Sequence, residues 1–176
     1  AVSPDFRNWT EQGEMTFRAA DGNPARPEHL YTNQTGPYFR APHISVSIAA
    51  RFLPKRQVLT AEEARAIRVD PKYFNDVSDS IFMTSRGGLV YDREFMEGFV
   101  RPGIGHENWT SRTNYPAYGI IQTGPAEISF FVQRSYGQPD HHLSRYSLRL
   151  DGFSSLHAGY AGGGMTSKPF RFSGRE

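Results

Sequence analysis

Apolar side chains in this chain recur mainly at alternate positions, the spacing of a strand that buries one face. The clearest case lies between Tyr38 and Phe52, where Ile44, Val46 and Ile48 alternate with polar residues and predict a strand. Pro42 has no amide hydrogen to give a ladder, so the first residues of that run read as a strand entry. Further strands are expected at 14–18, 81–85, 94–100, 118–122, 128–135, 145–150 and 154–158, with another beginning near Lys168. Residues 1–10 read as a strand end and a turn. One short helix is expected: Thr60-Ala-Glu-Glu63 is a capping box, Ala64 to Arg68 continues it, and Asp70-Pro71 stops it. Arg65 and Arg68 fall on its solvated side.

A weak motif punctuates these strands three times, in the form Ser/Arg-x-Asp/Gly-x-x-x-aromatic. It reads Ser3-Pro-Asp5-Phe-Arg-Asn-Trp9, then Ser85-Arg-Gly87-Gly-Leu-Val-Tyr91, then Arg149-Leu-Asp151-Gly152-Phe-Ser-Ser155 with its last position degraded. Gly-Gly and Asp-Gly pairs supply the positive φ that a tight hairpin needs. Copies tens of residues apart match the length of a four-stranded unit and suggest a repeat architecture. Two stretches, Tyr38-Phe-Arg40-Ala-Pro42 and Asn114-Tyr-Pro116-Ala, each put aromatic residues and a proline before a long apolar strand. The organisation expected is all-β, with propeller-like four-stranded antiparallel sheets. Residues 1–160 would form a partial propeller with complete sheets near 30–103 and 108–160. Residues 161–176 would be a linker and the start of a second β-module.

Composition supports this class. The 176 residues include 17 Gly, 12 Pro and 14% aromatics, a turn-rich β composition long enough for a real core. The net charge of +2 is mild, and its Lys and Arg are scattered among acids with no basic stripe, which argues against nucleic acid as a partner. There is no cysteine, hence no disulfide framework and no thiolate metal site. No apolar run reaches membrane-spanning length, so no membrane partner is expected. Sequons stand at Asn8, Asn33 and Asn108; they are either glycan acceptors of a secreted eukaryotic chain or chance products of polar loops. The chain starts and stops inside strand-turn units, which suggests a fragment of a longer polypeptide or a processed mature form.

These blade-ending turns, with Tyr38-Phe-Arg-Ala-Pro-His43, Phe82-Met-Thr-Ser-Arg-Gly-Gly, Arg101-Pro-Gly and Asn114-Tyr-Pro-Ala, resemble the five-bladed β-propeller glycoside hydrolases, families 43 and 32. The resemblance implies acid/base hydrolysis of a polysaccharide or oligosaccharide through an Asp base or nucleophile, a second Asp and a Glu acid on early inner strands. If this chain holds the last blades, some of those carboxylates lie upstream, on remaining blades of a longer chain or another subunit. It also implies that the module after Gly164 is β-sandwich-like, a secreted or periplasmic setting, a carbohydrate partner and no cofactor beyond an axial cation such as calcium. The other class is a non-catalytic carbohydrate-binding or structural β-module.

Glycoside hydrolysis needs two carboxylates flanking the scissile bond. Catalytic candidates are Glu97, between Met96 and Phe99 where burial would raise its pKa, Asp79 before a strand, and Glu127 after a Gly-Pro turn. Each also has a structural reading, Glu97 as a partner of Arg93 or Arg101 and the other two as turn acceptors. Arg40 and His43 at one strand entry, and Arg112, Asn114 and Tyr115 at the next, are substrate-binding candidates: an arginine fork suits sugar oxygens, and a neutral histidine suits a hydroxyl or an ion. The same residues would serve equally as hydrogen bonds between blades. Trp9 and Trp109 could stack on sugar rings or pack between sheets. His141-His142 point opposite ways on an extended chain and read as loop residues, not as a metal pair. Gly162-Gly-Gly164 reads as a linker, because no Lys-Ser/Thr and no helix follow it.

Overall fold

A computed structural model describes residues 1–167, 169, 171 and 173. The architecture is all-β, as the alternation requires, and is built from two sheets. Among the described residues nine strands and one α-helix follow in order: β1 (Thr16–Ala19), β2 (Thr35–Tyr38), β3 (Ala41–Leu53), α1 (Ala61–Ala66), β4 (Val77–Ser85), β5 (Val90–Arg93), β6 (Tyr115–Pro116), β7 (Ile121–Gly124), β8 (Glu127–Arg134) and β9 (His142–Arg149).

The first sheet has the order β1-β5-β4-β3-β2, and its core is the nine-residue antiparallel register from Ser45↔Ser85 to Leu53↔Val77. It departs from the expected four antiparallel strands. β1 adds a fifth strand, parallel to β5, and pairs Arg18 with Asp92 in register with a 2.6 Å ion pair. The free edge of β5 needs backbone partners, and the N-terminal segment supplies them. In the second sheet β9 pairs with the whole length of β8 from Glu127↔Arg149 to Arg134↔His142. β6 and β7 divide the other edge of β8, pairing at Gln133–Val132 and at Ser129–Glu127 respectively. The described residues form no closed ring of sheets.

Strict alternation assigns the faces. Val46 and Ile48 on β3 and Phe82 on β4 meet Phe130 and Val132 of β8, with Tyr146 and Leu148 of β9 behind them, in one core between the sheets. Stacked and tilted rings carry this core across the gap: Phe153 to Phe82 at 5.0 Å, Phe82 to Phe99 at 5.3 Å and Phe99 to Phe130 at 5.9 Å. Each such ring contributes roughly 2 kcal/mol of burial. The opposite parity, Ala49, Ile81, Met83 and Tyr91, builds a second core on the outer face, covered by Met15, Phe17 and Leu30.

Several expected elements take other forms. Residues 94–99 are a loop, not a strand, because Phe95 and Phe99 must both turn onto Phe82; the chain rejoins β4 only at the Ser80↔Val100 bridge. Residues 154–158 form no strand: Phe153, just before them, inserts into the core, and none of the five does. Residues 161–167 are irregular, and the strand expected from Lys168 lies outside the described residues. The helix α1 has its capping box as expected, with Thr60 Oγ1 accepting from the Glu63 amide.

The three motif copies share sequence and not structure. Asp5 accepts the amides of Arg7 and Asn8, both at 2.8 Å, in a local turn. Ser85 hydrogen-bonds the Gly87–Val90 hairpin from inside, with Gly87 and Gly88 at φ 107° and 72°. Asp151 instead reaches across to Tyr38 and Arg40.

One buried side chain joins the sheets. Asn114, fully buried at φ 71°, donates to the Ser78 carbonyl of β4 at 2.9 Å and to the Asn108 carbonyl at 3.1 Å. Its carbonyl accepts Ser80 Oγ at 2.5 Å, its amide bonds Gln133 of β8 at 2.8 Å, and its side-chain oxygen accepts from Arg134. Asparagine is among the few residues that tolerate the left-handed region. Asn114→Ala is expected to cost roughly 3 kcal/mol, from orphaned partners plus backbone strain. Asn114→Gly, which relieves the strain, should recover about 1 kcal/mol of that loss. Urea denaturation with a constant m-value measures both.

Candidate functional site

The parity of β4 that points Ser78 and Ser80 toward the second sheet sends Asp79 the other way, beside Ile81 and Met83. Asp79 therefore lies inside a strand and not in a turn before one. It accepts a two-pronged contact from Arg51, its register partner on β3, at 2.8 Å from Nε and 2.6 Å from Nη2. Arg51 also pairs with Glu28, and Glu28 pairs with Arg93, whose side chain is 1% exposed. Two guanidiniums and two carboxylates thus form a charge-balanced buried chain. The Nε of Arg93 has no partner within it. For Glu28, burial works to raise the pKa, but hydrogen bonds and charge from Arg93 and then Arg51 prevail and hold it below its ordinary 4.5.

Beyond this chain the outer face opens into a cavity of about 370 Å3. Leu53 and Val77 end the two central strands there, with Asp79 at the floor, Trp109 on the wall, and Arg56 and Arg101 at the rim. The Trp109 ring is fixed by its Nε1–H donating to the Gly103 carbonyl at 2.9 Å. Gly98 closes the floor: a Cβ there would lie 2.6 Å from Asp79 Oδ2. Arg56 follows Lys55, whose φ of 62° is held by its amide donating to Asp76 Oδ1 at 2.6 Å. An aromatic wall, two exposed guanidiniums at the rim and the apolar strand ends Leu53 and Val77 make a cavity suited to a polar, ring-shaped ligand.

The other named residues fall elsewhere. Glu97 is exposed in the 94–99 loop and not buried in a strand as expected; among the described residues it forms no ion pair with Arg93 or Arg101. Its neighbour Gly98 nonetheless brings this loop against Asp79. Glu127 opens β8 in the other sheet, where it accepts Thr123 Oγ1 at 2.6 Å and lies 3.5 Å from Arg145. Arg40 pairs with Asp151 at 2.5 Å beside a second hollow of about 430 Å3. Tyr38 donates to the same Asp151 at 2.6 Å, and burial first, then that hydrogen bond, pushes its phenol up to about 12. His43 is exposed on β3 and lines neither cavity.

Arg112, Asn114 and Tyr115 come together as the joint between the sheets. Arg112 sits over three rings, at 5.0 Å from Tyr73, 5.6 Å from Tyr136 and 5.7 Å from Tyr31, while its amide bonds Ser78 Oγ at 3.0 Å. Hydrogen bonds from Arg112 and then Tyr73 lower the Tyr136 phenol. Tyr115 leans on Tyr31 at 5.3 Å, and burial raises its pKa. Arg112 and Asn114 are engaged internally by these contacts, and the Tyr115 hydroxyl is buried without a hydrogen-bond partner. Arg40 and Arg112 are also not equivalent, since Tyr38 ends one strand whereas Asn114 leads into a different sheet.

Among the described residues, no three His, Asp or Glu side chains converge as a metal site, and no helix is long and apolar enough to cross a membrane. Sequence reasoning passed over Arg51 and Arg56, and named Arg101 only as an ion-pair partner for Glu97. Arg51 carried a signal: it continues the buried parity of Ser47 and Ala49, where a charge requires a partner. Arg56 and Arg101 carried none, being placed by loops.

The fold and the cavity define a two-sheet β protein with a cationic, aromatic-walled recess on its outer face. No family model, curated protein or solved structure matches the chain.

Asp79→Asn is expected to destabilise the fold by about 3 kcal/mol, because it leaves Arg51 buried beside a single remaining acid. Thermal or urea unfolding measures this. Glu28 adds a pH dependence of definite sign. Its folded pKa is depressed, so its contribution is present above about 4.5 and disappears as pH falls through the lower folded value. The acid limb of a stability–pH profile should therefore flatten in Glu28→Gln.

Proposed function

We propose that this chain is a carbohydrate-recognising β-module whose ligand occupies the recess between Asp79 and Trp109. The observation that carries this reading is the convergence of a fixed indole face with arginine donors around an open polar recess. Sugar rings present both apolar C–H faces and hydroxyls, and such a wall and rim complement both. In the hollow beside Tyr38, by contrast, Arg40 and Asp151 already satisfy each other. A secreted or periplasmic setting would give the module access to polysaccharide.

Recognition without hydrolysis is favoured by what surrounds the acids. Asp79 is held by both prongs of Arg51, and Glu127 belongs to the other sheet. Hydrolysis as part of a larger glycosidase is the second reading. It is favoured by Gly98, which lines the recess against Asp79 and so keeps the loop that carries Glu97 next to it.

Affinity electrophoresis on a polysaccharide panel tests the proposal. The protein should be retarded by at least one glycan, and Trp109→Ala should weaken that retardation by about tenfold or more, equivalent to about 1.4 kcal/mol. Trp109→Phe, which keeps a ring, should retain most of the binding and controls for misfolding. Turnover of aryl glycosides that disappears in Asp79→Asn would move the conclusion to the enzyme. Absence of both binding and turnover would sink both readings.

A further inference from the structure

Resting on the carbohydrate reading, we propose that the recess takes an acidic sugar, whose carboxylate or sulfate is gripped by Arg56 and Arg101. The charge distribution leads to this class of ligand. Asp79 is offset by Arg51, and Glu28 lies between Arg51 and Arg93, so the buried acids and guanidiniums cancel. What remains charged on the lining is Arg56 and Arg101. Both are exposed, and among the described residues neither is within ion-pair distance of a carboxylate. The nearest acids by sequence are engaged or turned away: Asp76 receives the Lys55 amide, and Glu97 does not line the recess.

Arg101 makes one long contact, 3.4 Å from Nε to the Gly98 carbonyl, which leaves the terminal nitrogens of its guanidinium for a ligand. Two cations bordering one recess raise its potential and draw in a counter-anion. A guanidinium fork matches the two oxygens of a carboxylate or sulfate in a way a lysine would not. Trp109 then receives the sugar ring that bears the acid. A uronate and a sulfate ester share this chemistry, so the ligand class is an anionic pyranose.

Titration calorimetry at low salt separates the possibilities, using an oligogalacturonate, a sulfated galactan oligosaccharide and a neutral galactan oligosaccharide of matched length. One or both acidic ligands should bind about tenfold or more tighter than the neutral one, and the difference should shrink as salt is added. Whichever acidic arm binds identifies the source of the anion. The double variant Arg56→Gln/Arg101→Gln should lose the acidic preference, weakening the acidic ligands far more than the neutral one, while Trp109→Ala should weaken all of them alike. Equal affinity for acidic and neutral sugars overturns this inference and leaves the carbohydrate reading standing. So does an acidic preference that survives in the double variant. Failure of all three ligands to bind overturns the inference together with the reading it rests on.

Discussion

The polar joint between the two sheets is built around the buried amide group of Asn114. It is held on one side by β4, through Ser78 and Ser80, and on the other by β8, through Gln133 and Arg134. A buried amide fixed by that many partners has one satisfactory position, so it determines how the sheets register against each other. Asn108 and Arg134 complete the arrangement by tying the 102–109 segment to the same point, through the Pro102 carbonyl and Asn108 Oδ1. Trp109 leaves that segment toward the recess. The wall of the candidate site therefore depends on the joint between the sheets.

β4 shows how one strand serves two chemistries. Its even positions, Ser78, Ser80 and Phe82, carry the joint and the shared core. Its odd positions, Asp79, Ile81 and Met83, carry the ionic chain and the outer core. A slip of one residue would exchange the sets, placing a carboxylate among aromatic rings and a phenylalanine among arginines. That penalty fixes the register as firmly as the hydrophobic contacts do.

What could be read from the chain follows the range of the forces involved. The β3 alternation, the Gly87-Gly88 turn and the Thr60–Glu63 capping box are local, and all appear in the structure. β4 was legible only in its apolar half, since Ser78, Asp79 and Ser80 look like loop residues until their partners are known. Those partners lie far along the chain: Arg51 is 28 residues from Asp79, and Glu28 is 65 from Arg93. Equating Tyr38–Pro42 with Asn114–Pro116 failed for the same reason, because similar short strings were placed by unrelated neighbours. Trp109 and Asp79 were visible as chemistry, but their meeting in one recess depends on loops that no periodicity describes.

The parallel pairing of β1 with β5 has a consequence for how the molecule assembles. The second sheet is nearly all hairpin, with β7, β8 and β9 following one another at short separation. β1, in contrast, must wait for a partner 74 residues away, as the Arg18–Asp92 contact shows. Closing so long a loop costs entropy before any contact compensates for it. β1 is therefore the strand that docks last and opens first. The outer core of Ala49, Ile81, Met83 and Tyr91 beneath Met15 and Phe17 thus matures late, after the joint between the sheets is in place.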